Sequence, residues 1–81
     1  MIPIKSDGVR VLRVINAQRV VSPWARELWV VLAEIVNPHP YVTWEWNPST
    51  QSLSHGHYFV ILDEARKDFD QRIAAFAGFP S

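Results

Sequence analysis

The chain reads as an α+β fold, an antiparallel meander sheet of three to four strands packed on one C-terminal amphipathic helix, and three observations predict it. Leu62, Ala65, Phe69, Ile73 and Phe76 recur at helical spacing near the C-terminal end. Residues 41–46 and 53–60 are rich in aromatic and β-branched side chains and are separated by Asn47-Pro48-Ser49-Thr50-Gln51, a hairpin loop by composition. The 81 residues hold no repeat, low-complexity stretch or linker, so one small domain, 1–81, is expected.

Taken in order, residues 9–16 alternate loosely, on towards Val21, and are expected to form the first strand. Residues 27–36 admit two readings. Ser22-Pro23 could be an N-cap with proline at the first helical position, and Trp24, Leu28, Leu32 and Ile35 fit a helical face. The Trp29-Val30-Val31 run favours extended structure, and Asn37-Pro38-His39-Pro40 has the length of a hairpin connection, so a strand is preferred. Strands at 41–46 and 53–60 follow, then a helix over 62–77. Asp63 and Glu64 suit its first turn, Gly78 and Pro80 supply a stop, and Asp63 to Lys67 and Asp68 to Arg72 form favourable pairs four apart on its outer surface.

The alternation assigns side chains to faces. With Val36 opposite Tyr41, Ala33 and Val31 meet Trp44 and Trp46, and on the other side Trp44 lies over Gly56 and Trp46 over Ser54. One face then carries Trp29, Val31, Ala33, Ile35, Val42, Trp44, Trp46, Tyr58 and Val60, and is expected to be the core beneath the helix. The other carries Leu28, Val30, Leu32, Val36, Tyr41 and Phe59 beside Glu34, Thr43, Glu45, His55 and His57. A strand apolar on both sides needs cover on both, and one helix covers only one. The second face is therefore expected to meet the N-terminal segment, another subunit or a ligand.

Composition narrows the classes. The chain has no cysteine, which excludes disulfides and thiolate metal sites. The N-terminal residues lack a signal-peptide pattern, and Leu28 to Val36 contains Glu34 and is short of the roughly 20 residues of a membrane helix; a cytoplasmic protein with no membrane role is expected. Net charge is zero but uneven. Lys5, Arg10, Arg13, Arg19 and Arg26 stand against Asp7 in residues 1–26, while later residues are acidic in excess. Attraction within the molecule or across a dimer accounts for this more simply than a nucleic-acid stripe, since nucleic-acid binders are usually basic overall.

His55-Gly56-His57, with Glu45 across the hairpin, contains the residue types of a two-histidine, one-carboxylate metal site, but its short spacing reads better as a polar, partly exposed sheet face; no metal or cofactor is expected. Ser52, Ser54 and Thr43 lack a nucleophile-elbow pattern, so no catalytic residue is assigned. Nucleic-acid binding is the alternative, with Tyr41 and Phe59 as stacking platforms and the N-terminal arginines on phosphates. A helical reading of residues 9–21 would produce the helix, three strands, helix order of a double-stranded-RNA-binding domain, but Asp63-Glu64 replaces the basic start of its last helix. The expectation is a non-catalytic interaction module that self-associates as a homodimer or docks a protein partner. Leu28, Val30, Leu32, Tyr41, Glu45, His55, His57 and Phe59 are expected to form the contact.

Overall fold

Alternating apolar and polar residues, interrupted by short loops of Ser, Asn and Pro, produce four strands and then a helix. A computed structural model describes residues 10–77 and contains β1 (Val11–Val20), β2 (Leu28–Ile35), β3 (Tyr41–Asn47), β4 (Ser52–Phe59) and α1 (Leu62–Phe76). The sheet order is β1-β2-β3-β4 and every neighbouring pair is antiparallel. This is the expected meander with one C-terminal helix. Val9, Lys5, Asp7 and the Gly78 and Pro80 stop lie outside the described residues.

Side-chain oxygens shape the loops. Asn37 Oδ1 accepts from the His39 amide at 2.9 Å and Asn47 Oδ1 from the Ser49 amide at 3.0 Å, so each hairpin is entered through an Asx turn. Ser22 Oγ accepts from the Trp24 amide at 3.2 Å, which uses the serine to turn the chain before β2 and not to start a helix. α1 begins after Ile61 without a side-chain cap, with Asp63 and Glu64 in its first turn, and ends where the Ala77 amide donates to Ile73 O and Ala74 O.

The β2–β3 register pairs Val31 with Trp44 and Trp29 with Trp46. Relative to the expected pairing this is a slip of two residues. Since strand side chains alternate with period two, a slip of two leaves each one on its assigned face. Between β3 and β4 the expected register holds for Tyr41↔Phe59, Val42↔Tyr58 and Thr43↔His57, then shifts by one, so that Glu45 faces Ser54 and Trp46 faces Leu53. The extra residue is taken up at His55 and Gly56, and His55 has φ 55°.

The expectation that α1 covers the tryptophan face is overturned. Leu28, Val30, Leu32, Ala65, Phe69 and Phe76 form one buried cluster, with Ile15, Val20, Tyr41, Phe59, Leu62 and Ile73 packed against it. The helix therefore lies on the face with Thr43, Glu45 and His57. Val31, Ala33, Ile35, Val42, Trp44 and Trp46 form a separate buried cluster on the opposite face, flanked by Val11, Ala17, Trp29 and Leu53. Burial of each large aliphatic side chain under α1 is worth about 1.5–3 kcal/mol, and the small Ala65 lets the helix approach the Leu28, Val30, Leu32 row closely.

Candidate functional site

Three polar side chains on the helix-covered face of β3 and β4 need partners, and α1 supplies them. Thr43 sits in mid-β3 and is wholly buried, opposite His57 across the strand pair. Asp68 and Arg72, one helical turn apart beside the Phe69 and Ile73 stripe, point at it. The Thr43 hydroxyl donates to Asp68 Oδ2. His57 Nδ1 lies 3.0 Å from Asp68 Oδ2 and 3.1 Å from Oδ1.

Arg72 joins the rest. Its Nε donates to Thr43 Oγ1 and to Asp68 Oδ2, both at 3.1 Å, its Nη1 donates to Glu45 Oε2 at 3.2 Å, and its Nη2 donates to the backbone carbonyl of His55. The rigid guanidinium fork thus spans β3, β4 and α1, a geometry that a lysine could not reproduce. Only 9% of the Arg72 side chain is accessible, against 13% for Glu45 and 18% for Asp68. Among the described residues no buried side-chain polar atom is left without a hydrogen bond.

Burial raises the Asp68 carboxyl, but hydrogen bonds from Thr43, His57 and Arg72, together with the charge on His57, outweigh it. The group is held below its usual value.

The bulge between His55 and Gly56 is gripped from both sides. Arg72 holds the His55 carbonyl on the helix side. On the tryptophan side a Cβ added to Gly56 would stand 2.8 Å from Trp44 Nε1 and 3.2 Å from Tyr58 Cε1, so the indole occupies the space that only glycine leaves open. The expected contact of Trp44 with Gly56 is therefore present, although the register beyond it is not the expected one.

The eight residues expected to form a contact surface fall into three groups. Leu28, Val30 and Leu32 are 2%, 0% and 1% accessible beneath α1 and offer no surface to a partner. Tyr41 and Phe59 face each other across β3 and β4 and are partly buried against the helix-side cluster. Glu45 is half-buried on Arg72. His55 and His57 are exposed, but the bulge separates them: His57 keeps its place opposite Thr43, while His55 lies in the left-handed region and Glu45 faces Ser54 instead. Among the described residues no three His, Asp or Glu side chains converge as metal ligands.

Asp68 and Arg72 are the site residues that sequence reasoning misplaces. It finds them as a pair four apart but sets them on the outer surface. The usable signal is the coincidence of Thr43, Glu45 and His57 on one face with an Asp and an Arg flanking the helix stripe. His57 backed by Asp68 is the half of a catalytic triad that orients a base. Of the candidate hydroxyls, Thr43 is buried and donates to the same carboxylate, and Ser52 Oγ bonds Thr50 Oγ1 at 2.6 Å. The network joins helix to sheet.

Among the described residues the two edges of the sheet are unpaired. β1 and β4 are its outer strands. β1 carries two register irregularities and the exposed Arg13 and Arg19, with Arg13 bonded to Glu34 at 2.8 Å. β4 carries no Lys, Arg, Asp or Glu. Tyr58 and, just beyond the strand, Val60 and Ile61 are exposed.

Comparison with family models, curated proteins and solved structures finds no match to this chain. No helix among the described residues is long and apolar enough to cross a membrane.

Proposed function

We propose that this chain is a non-catalytic interaction module that self-associates or docks a protein partner by accepting a strand at the open edge of β4. The difference between the two edges carries the reading. Exposed strand edges are templates for pairing, and proteins blunt them with charges and bulges. β1 has both devices. β4 has its single irregularity at His55 and Gly56, which leaves residues 57–59 in regular pairing with β3 and free of formal carboxylate, lysine or arginine charge. The apolar Tyr58, Val60 and Ile61 beside this stretch are 47–58% accessible. Main-chain hydrogen bonds would supply the affinity and these side chains the selectivity, as in strand-addition complexes generally.

The test uses an extended probe unrelated to this chain, a peptide of alternating Thr and Val, titrated into the isotope-labelled protein. Amide shifts concentrated on β4, and lost when Tyr58 and Val60 are both changed to Lys, are the expected result. Shifts centred on β1, or no shifts on β4 at saturating peptide, would sink the reading.

A further inference from the structure

We infer that the natural occupant of the β4 edge is a second copy of this chain, joined antiparallel about a two-fold axis at Tyr58. The inference rests on the strand-acceptor reading above and names its partner.

Charge is the first argument. In an isologous contact every residue meets its own surface, so any formal charge near the axis is set against itself. The regular half of β4 carries no Lys, Arg, Asp or Glu, its His57 is paired with Asp68 of the same chain, and the whole chain has net charge zero at neutral pH, so no unpaired like charge opposes self-pairing. The β1 edge behaves differently. Arg13 and Arg19 lie on that strand, and self-pairing there would bring like charges together.

Shape is the second argument. An axis at Tyr58 sets Tyr58 against Tyr58 of the second copy and His57 against Phe59. Tyr58 pairs with Val42 and so lies on the tryptophan face, where its exposed ring gains an aromatic cross-strand neighbour. The bulge limits the joined stretch to the segment beyond it, because His55 at φ 55° breaks the regular ladder. Both helices would lie on the same side of one continuous eight-strand sheet, two four-strand halves joined at β4.

The native chain has no cysteine, so single cysteines report this geometry without background. Residues directly opposite in an antiparallel pair have Cα atoms about 4.5–5.5 Å apart, within disulfide range. In a glutathione redox buffer Tyr58→Cys is expected to form a disulfide-linked dimer, whereas Leu12→Cys, exposed on β1, stays monomeric. Light scattering on the unaltered chain is expected to show the mass doubling as concentration rises, and Tyr58→Lys is expected to return it to the monomer value. A monomer mass at every concentration, with no crosslink through Tyr58→Cys, overturns the second-copy inference while leaving peptide-induced shifts on β4 to support the acceptor reading. A dimer that persists in Tyr58→Lys, or crosslinks through Leu12→Cys instead, overturns the axis.

Discussion

Arg72, in the third turn of α1, donates a hydrogen bond to the backbone carbonyl of His55, a residue in the left-handed region at φ 55°. A helix side chain thus fixes an irregular position in an edge strand, and the same guanidinium ties that strand to Thr43 and Glu45 of its neighbour. Left-handed backbone at a non-glycine residue costs of order 1 kcal/mol or more and persists only where surrounding contacts hold it.

Arg72→Met keeps the apolar stem but removes the fork. It leaves Glu45 without its counter-ion and Asp68 with only Thr43 and His57, and a loss of about 3 kcal/mol in urea-induced unfolding is expected. Faster amide exchange at Gly56 and His57 should accompany it. Arg72→Lys should recover only part of the loss, because an ammonium cannot address all of those acceptors at once. Unchanged stability in Arg72→Met would show that the network contributes nothing to the fold.

Gly56→Val drives a branched side chain into the Trp44 indole, whose Nε1 would lie 2.8 Å from the new Cβ. Overpacking of this kind costs roughly 1–3 kcal/mol. Thermal unfolding measures the cost, and a shift in tryptophan emission would report the displaced indole. A neutral outcome would mean that Trp44 moves aside freely.

Asp68 carries a pH signature. Its folded pKa lies below the ordinary 3.8, so its bonds stabilise the fold fully above the unfolded value, and that contribution is lost as pH falls through the lower folded one. Denaturation curves should therefore show the Asp68 contribution fading below about pH 4. Asp68→Asn should be less stable at neutral pH and show a flatter acid limb. A parallel acid limb in the variant would contradict the assignment.

Val30→Glu separates a covered face from a docking face. Val30 has no accessible surface beneath α1. An unpaired carboxylate there should destabilise or unfold the chain by roughly 3 kcal/mol or more. If the variant instead remained folded and merely lost an association, the helix would have to lie on the other face.

The sequence by itself indicates the strands near 41–46 and 53–60, that a helix with an apolar stripe follows them, and which side chains of β2 and β3 share a face. Residues 9–21 and 27–36 leave a helical reading open that the structure replaces with β1 (Val11–Val20) and β2 (Leu28–Ile35). Period-two alternation is robust in this respect: the β2–β3 register differs from the expected one by two residues, yet Val31, Ala33, Trp44 and Trp46 still lie together. Only the tertiary structure decides which face the helix takes. Every residue of β2 from Leu28 to Ile35 except Glu34 is apolar, so hydrophobicity does not tell the two sides of that strand apart. The polar Thr43, Glu45 and His57 look like a solvated surface until Asp68 and Arg72 are brought over them, and that match depends on the rotation of α1 about its own axis. The bulge is likewise a tertiary decision. His55 and Gly56 are two residues set against Trp44 alone, held by an arginine from another element and by the bulk of an indole, and no local spacing encodes either contact.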